Sequence, residues 1–400
     1  MKILFVSAWY PSRGNRNDGV FVREHAKSAR AAGDEVAVLH LDAAPLEGRA
    51  RWELERETDL ALTEGIPTWH LRVRHFRSSF RPSWLFARLA FWTSSLWTTW
   101  GVVRAVRRIR GAGFNPAVLH SNVFTAGTAA VVAGRVFRLP VVATEHYTGF
   151  GRRTLAPGEL KRARFALGRM ACVMPVCEYL RRAIEAYGIR ARFEIVPNAV
   201  DTEIFFAPAP GTLPGSPKHL LFVGGLEPTA AKGFPTLVEA LKRLGGRRTD
   251  WRLDVIGDGP SRANCERLVA TAGLSEVVTF HGLQPKSYVA EKMRASDVFV
   301  LSSRFENLPC VVIEAMTSGL PVVATSVGGV PEMVGEADGV LVETDDASAL
   351  ADGIDRVLAG LPSYDRAAIS ARAVARYSLP VVGAMFHEIY RSVLARPAAR

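Results

Sequence analysis

Ser302-Ser303-Arg304-Phe305-Glu306-Asn307-Leu308-Pro309 comes directly after the apolar run Val298–Leu301. It leads through Cys310 to Glu314 into Ala315-Met316-Thr317-Ser318-Gly319-Leu320-Pro321-Val322-Val323-Ala324-Thr325. A short apolar run closed by polar residues reads as a buried strand and the loop after it. Pro309 fits the first turn of a helix, where its missing N–H costs nothing. Gly319-Leu320-Pro321 ends that helix and feeds the next strand. The stretch is therefore strand, loop, helix, strand: the repeat of a parallel sheet. It puts Glu306 in the loop at a strand's carboxyl end and Glu314 in the following helix, both able to face one crevice. Two such carboxylates suit the acceptance of hydrogen bonds from hydroxyl-rich ligands. Further on, Gly328-Gly329 opens a loop before a helix expected near Val330, and free backbone N–H groups there suit a phosphate.

On both sides of this stretch the same alternation fills the chain. In the first half strands are expected at Lys2–Ser7, Val36–His40, Ala117–His120, Val141–Thr144, Cys172–Val176 and Glu194–Val196. In the second half they are expected at Leu220–Val223, Leu253–Ile256, Val277–Phe280, Val298–Leu301, Val322–Ala324 and Val340–Val342. Helical patterns lie between, for example Pro235–Leu244 and Pro309–Ser318. Trp52–His70 reads as a hairpin or an irregular excursion. A Pro/Gly-rich stretch, Pro208–Pro217, carries almost no core-forming pattern and reads as a linker. The expected fold is α/β, two Rossmann-like doubly wound domains facing a central cleft, residues 1–207 and 208–379. A last helical pattern follows at about 380–400. Ligands of such sheets bind outside the carboxyl ends of the strands.

A chain of 400 residues with 48% hydrophobic and 22% charged residues is ordinary for a folded protein and excludes a largely disordered one. Its four cysteines are too few for a disulfide framework and read as thiols in a reducing compartment. Ile3–Val6 is too short for a secretory leader, so the expected location is cytoplasmic. Fifty basic against 39 acidic residues give a net charge of +11. No Asp or Glu occurs between Ile66 and Thr144, a span holding Arg72, Arg74, Arg77, Arg81, Arg88, Arg104, Arg107, Arg108, Arg110, Arg135 and Arg138. Phe76, Phe80, Trp84, Phe86, Phe91, Trp92, Trp97 and Trp100 are interleaved with these. Arg88 and several Ser and Thr residues argue against a membrane span at Trp84–Val103. An amphipathic helix touching an anionic membrane through region 72–110 is expected instead. The alternative is a domain helix whose aromatics fill the core.

These motifs in this order resemble the retaining glycosyltransferases of the GT-B fold, the "group 1" family that includes glycogen synthases and mannosyltransferases. That family has two Glu separated by seven residues, then an Ala-Met/Leu-x-x-Gly-x-Pro-Val-Val-Ala run and Gly-Gly-x-Pro-Glu. Glu306, Glu314, Ala315, Gly319, Pro321, Gly328, Gly329, Pro331 and Glu332 match it. Val196–Asp201, Val255–Pro260 and Phe280-His281-Gly282 extend the resemblance over nearly the whole chain. It implies a nucleotide-diphosphate sugar as co-substrate, retention of anomeric configuration, a glycan or lipid-linked acceptor, and a final helix at about 380–400 that packs back on the first domain. By the resemblance Glu314 binds the ribose, and Glu306, with Asn307 and Leu308 beside it, contacts the donor sugar. Gly328 and Gly329 lie near the phosphates, and Lys232 neutralises the diphosphate leaving group. A fixed cation there stabilises developing charge more than the ground state. Many members add an Arg where this chain has Gly225, in Val223-Gly224-Gly225-Leu226.

In the first domain, Asp18-Gly19-Val20-Phe21 resembles the family's Gly-rich loop, with Gly19 admitting the donor diphosphate to a helix N-terminus. His120 and His146, each expected at a strand end, are candidates near donor sugar or acceptor. No metal site is expected, because the Asp-x-Asp of metal-dependent transferases is missing and Glu343-Thr344-Asp345 falls in a variable loop. A nucleotide-sugar epimerase on the same fold would need acid/base residues that cannot be identified. A basic nucleic-acid-binding protein would leave the carboxylates and Lys232 without a role, and no nucleic-acid-binding motif is present.

Overall fold

A computed structural model describes residues 1–42, 52–73, 84–209, 215–228 and 231–395, with only the helix path for 84–95. By contact the chain divides into two units. The first holds Met1–Val176, Leu180–Asn198 and Leu379–Arg400; the second holds Cys177–Tyr179 and Ala199–Ser378. The division falls upstream of the Pro/Gly-rich stretch, because Val200 bridges to Ser378 and Arg294 donates to the Ile204 carbonyl. Of that stretch, 210–214 lie outside the described residues.

The first unit carries β1 (Lys2–Ser7), β2 (Glu35–Asp42), β3 (Trp52–Arg56), β4 (Thr68–Val73), β5 (Val118–Asn122), β6 (Val141–Glu145) and β7 (Cys172–Pro175). They lie in the order β3-β4-β2-β1-β5-β6-β7. Every neighbouring pair is parallel except β3, an antiparallel edge on β4. The excursion at Trp52–His70 is thus an antiparallel pair grafted on the sheet, with the short helix Leu60–Thr63 between its strands. Strands buried on both faces read as continuous apolar runs, and Ile3–Val6 is fully buried.

Glu194–Val196 is not a strand. The Glu194 and Val196 N–H groups donate to the Val173 and Pro175 carbonyls, but pairing reduces to one bridge, Val173 to Phe193. The last helix, Leu379–Leu394, packs on Val20–Ala31 within the first unit. Their backbones approach so closely at Gly383 that a Cβ there would strike the Ser28 carbonyl.

The second unit carries β8 (Lys218–Val223), β9 (Trp251–Ile256), β10 (Val278–Gly282), β11 (Val298–Leu301), β12 (Val322–Thr325) and β13 (Gly339–Val342). All neighbours are parallel, in the order β10-β9-β8-β11-β12-β13. Counted from its first strand this is 3-2-1-4-5-6, the order that reverses between β8 and β11 and opens a crevice at their carboxyl ends. Its core is built from Leu220, Phe222, Val255, Val298, Val300 and Val323 under the helix residues Leu237, Leu241, Ile354 and Val357. No described helix is long and apolar enough to cross a membrane.

Candidate active site

The loops that leave β8 and β11 meet at that crevice. The β8 loop leads to Lys232 and then to the helix Phe234–Gly245. Gly233 caps this helix at φ 62°, and a Cβ there would overlap the Ser302 carbonyl. Only glycine permits both the left-handed backbone and the approach. Ser302 Oγ donates to the Lys232 carbonyl at 2.8 Å, and the Arg304 N–H donates to the Ala231 carbonyl at 2.8 Å. The two loops are therefore locked before any ligand binds.

Locking brings Lys232 Nζ to 2.6 Å from Glu306 Oε1, and Ser303 Oγ donates to the same oxygen at 2.7 Å. The Glu306 side chain is 10% exposed and that of Lys232 is 30% exposed, so the pair lies at the mouth of the crevice. With both contacts on Oε1, Oε2 is left to accept from a ligand. Ser303 is a positioning residue that the family motif does not flag; its only signal is a hydroxyl three residues before the glutamate.

The remaining motif residues hold this loop. Asn307 and Leu308 are buried. The Asn307 carbonyl accepts the Gly329 N–H at 2.8 Å, so this N–H is not the free phosphate donor expected of it. Gly328 sits at φ 58°, where a Cβ would run into the Glu306 carbonyl. The glycine pair thus clasps the Glu306 loop, and the helix expected after it is only a three-residue 3-10 turn, Val330–Glu332. Glu332 accepts the backbone N–H groups of Glu178 and Tyr179 at 2.8 and 2.7 Å. Glu314 lies in the helix Cys310–Thr317 with Lys286 Nζ 3.9 Å away.

Gly225 comes after β8; among the described residues a Cβ there would meet only Glu227, with Oε1 at 3.7 Å. Arg304, the nearest other cation in the motif, is committed to Asp345 at 2.6 Å.

In the first unit the candidates part company. His120 is inside β5, not at its end, and fully buried. Nδ1 lies 2.6 Å from Tyr390 Oη and Nε2 lies 3.2 Å from Thr144 Oγ1, with the Phe5 ring 4.3 Å away. Burial, with His25 nearby, pushes it well below the ordinary histidine range, so it is a neutral core residue. His146 comes just after β6, its ring 4.3 Å from Phe21 and 5.1 Å from His25. Burial likewise holds it well below its ordinary value. Gly19 caps the helix Val20–Ala31 at φ 58°, and a Cβ there would overlap the backbone of Trp9 and Tyr10. Its glycine is demanded by its own loop.

Glu145, between these residues, carries no signal in the sequence pattern. It is fully buried and accepts the N–H groups of Phe124, His146 and Tyr147 at 2.9, 3.0 and 2.9 Å. Burial raises it to about 7 against the lowering effect of those three donors. Among the described residues no three His, Cys, Asp or Glu converge to hold a metal ion.

Two family models match in tandem: "Glycosyltransferase Family 4" over residues 19–204 and "Glycosyl transferases group 1" over 204–374. The chain is 28% identical over 357 residues to D-inositol 3-phosphate glycosyltransferase of Frankia alni, covering 80% of this chain and 82% of that protein. It is 32% identical over 177 residues to alpha-D-kanosaminyltransferase of Streptomyces kanamyceticus, a match spanning 44% of this chain and only 45% of that relative. Its fold is similar to that of Anabaena HepE in complex with UDP, with a TM-score of 0.74 at 18% identity over 98% of this chain and 100% of that one. The two parallel-sheet Rossmann-like units are those of the GT-B fold, and the chain belongs to the group 1, family 4-like glycosyltransferases.

Proposed function

We propose that the protein transfers a sugar from a nucleotide-diphosphate donor to a glycan or lipid-linked acceptor, with retention of anomeric configuration. The observation that carries this reading is the Lys232–Glu306 pair, fixed at 2.6 Å at the switch point of the second sheet. Cleavage of the anomeric C–O bond leaves negative charge on the diphosphate. An ammonium held in place by neighbouring loops stabilises that charge without reorganising. Lys232 is the leaving-group cation; Glu306 receives donor-sugar hydroxyls on its open oxygen, and Glu314 receives ribose hydroxyls. The second unit is the donor unit and the first the acceptor unit, with His146 at its loops. Neutralisation by lysine lets the reaction run without a resident metal. HepE, similar in fold, was solved with UDP, which supports a nucleotide ligand of this kind.

Thermal-shift screening against nucleotide sugars, followed by product analysis with donor alone and donor plus acceptor, tests the reading. A donor that raises the melting temperature and is consumed faster when acceptor is present is expected. A donor converted to its epimer without acceptor would replace the transferase by an epimerase.

Peripheral attachment of the acceptor unit to an anionic membrane, on its cytoplasmic side, belongs to the same proposal. In the described part of helix Trp84–Gly111, Val102, Ala105, Val106 and Ile109 form the buried stripe. Leu96 and Trp100 are 66% and 41% exposed. The Arg104 guanidinium stands 4.2 Å from the Trp100 ring, and that of Arg108 stands 4.8 Å from Trp52. An exposed Trp100 and Leu96 with arginines beside them match a headgroup layer. Arg74, Arg77, Arg81, Phe76 and Phe80 lie outside the described residues, as do the side chains of Arg88, Trp84, Phe86, Phe91 and Trp92. Co-sedimentation with anionic vesicles at low salt is expected; protein left in the supernatant would end this part of the proposal.

A further inference from the structure

Val123 follows β5 at φ 63°, a left-handed backbone that a β-branched side chain seldom adopts. It is the first residue of the helix Val123–Phe137, and its turn lies where the order of the first sheet reverses, between β1 and β5. At two other helix starts the left-handed residue is a glycine, Gly19 at φ 58° and Gly233 at φ 62°, which meets the demand without strain. Val123 is instead pinned from three sides. Its side chain is 1% exposed. Ser121 Oγ donates to its carbonyl at 3.3 Å, and the next N–H, that of Phe124, donates to Glu145 Oε2 at 2.9 Å. Strain of this kind persists only where the surroundings over-determine it, and it gathers where geometry serves a ligand.

Glu145 holds a second loop as well. It ends β6, the neighbour of β5, and its Oε1 accepts the His146 and Tyr147 N–H groups at 3.0 and 2.9 Å. One buried side chain thus brackets the two loops that leave adjacent strands at the switch point. Just before the loops, Asn122 Nδ2 donates to Thr144 Oγ1 at 2.6 Å. The Phe124 and Tyr147 rings meet edge-on with centroids 5.6 Å apart, and Trp9, in the loop after β1, stands 6.2 Å from Tyr147. Trp9 and Tyr147 are half-buried, so this aromatic face of the loops is reachable. Packing alone does not call for a carboxyl group in the core, since withdrawing it from water is costly until its oxygens are met. Only a carboxylate accepts on both oxygens; an amide of the same shape sets a donor against at least one of the three N–H groups.

We propose that Glu145 is a positioning residue for the acceptor: through the Phe124, His146 and Tyr147 N–H groups it fixes the strained Val123 turn and the His146–Tyr147 loop in the arrangement that seats the acceptor sugar at the switch point of the first sheet. The inference rests on the transferase reading. Glu145 is fully covered, so it acts through these loops and not by touching the sugar.

Initial rates with UDP-glucose and GDP-mannose as donors and octyl α-glucoside and octyl α-mannoside as acceptors test it. They are read at about pH 8, above the value of about 7 to which burial raises Glu145. In Glu145→Gln the acceptor KM should rise about tenfold or more while the donor KM stays within about twofold. Val123→Gly keeps Glu145 and its three donors but frees the turn, and a rise in acceptor KM of about threefold is expected. Partial unfolding lowers kcat alone and leaves both KM values in place, so the split separates positioning from stability. Hydrogen exchange in both variants should show residues 123–125 and 146–148 opening while β5 and β6 stay protected. An unchanged acceptor KM in either variant, a donor KM raised as much as the acceptor KM, or protection lost throughout the sheet would overturn the proposal. Transfer by the wild type alongside any of these rejects the positioning role and leaves the transferase standing. No transfer by the wild type from either donor to either acceptor would overturn the transferase reading, and the inference with it.

Discussion

Apart from the antiparallel edge strand β3, the two units share a strand order but treat their polar residues in opposite ways. In the second unit the loops after β8 and β11 carry a lysine and a glutamate to the rim, paired and still reachable. In the first unit the corresponding polar residues turn inward. His25 and His120 are fully buried, and Glu145 spends its carboxylate on three backbone donors. The same topology thus leaves charge at the rim in one half and takes it inward in the other. Charge left at a crevice mouth can meet a ligand, whereas charge taken into the core must be satisfied there or given up.

The largest consequence concerns the rim pair. Lys232→Ala is expected to lower kcat by about 10²–10³, the loss seen when a fixed charge-stabilising group is removed from an active site. The fold should survive, because Gly233, Ser302 and Arg304 lock the loops through backbone contacts that do not use the lysine side chain. Glu306→Ala should be comparably damaging and should raise the KM for donor. Steady-state kinetics with an intact circular-dichroism spectrum checks both. Wild-type turnover in either variant would erase the distinction between the halves.

The second consequence is on stability in acid, and it falls on the first unit. Burial lowers His25 and His40 to about 4, and it lowers His70, His120 and His146 as well. A histidine whose folded value is depressed binds fewer protons folded than unfolded. Its contribution is therefore present above about 6.5 and lost as the pH falls through the folded value. His25 and His40 each amount to about 3 kcal/mol by pH 4. Glu145 acts in the opposite sense: raised to about 7, its contribution is present below the ordinary glutamate value and lost as the pH rises through 7. One carboxylate offsets about one histidine, so five histidines should prevail. Hydrogen exchange read between pH 7.5 and 4.5 should show β1, β5 and their helices losing protection below pH 6.5. Protection unchanged to pH 4.5 would mean that the histidines are not buried in solution.

Legibility in the sequence divides along the same line. Parallel strands announce themselves as short apolar runs, so the two sheets could be read from patterns such as Ile3–Val6 and Val298–Leu301. Glu194–Val196 could not be distinguished, because an apolar run beside a strand looks like one whether or not its far side is paired. The Glu306–Glu314 segment was readable because many residues must agree in order there. His120 was misread because residue type and approximate position do not reveal which way a side chain points: a shift of one residue along a strand exchanges rim for core. Gly19 and Gly328 were read for the phosphate they could face, and Gly233 was not read at all, so the backbone contacts that require a glycine at all three were not legible. Gly19, Gly233 and Gly328 admit neighbouring backbone, and that neighbour is distant in sequence for the last two.

The smallest expected effect tests how complete the rim is. Lys232 is compensated by Glu306 in the free protein, and Arg304 is held by Asp345, so a diphosphate arriving there meets little uncommitted positive charge from this segment. Gly225 stands where many relatives of the resemblance place an arginine, yet no described residue forbids one: its φ is not in the left-handed region, and the nearest described atom to an added Cβ is Glu227 Oε1 at 3.7 Å. Gly225→Arg should therefore fold normally. Glu227 will hold part of the new charge, which is solvent-exposed and screened, so the gain is modest. A few-fold fall in the KM for donor, fading as salt is raised, is expected from a group worth about 1 kcal/mol. A fall in kcat without change in KM would instead show that a bulky side chain obstructs the backbone dipoles at Gly224 and Gly225, and that the missing arginine is a built feature of this loop.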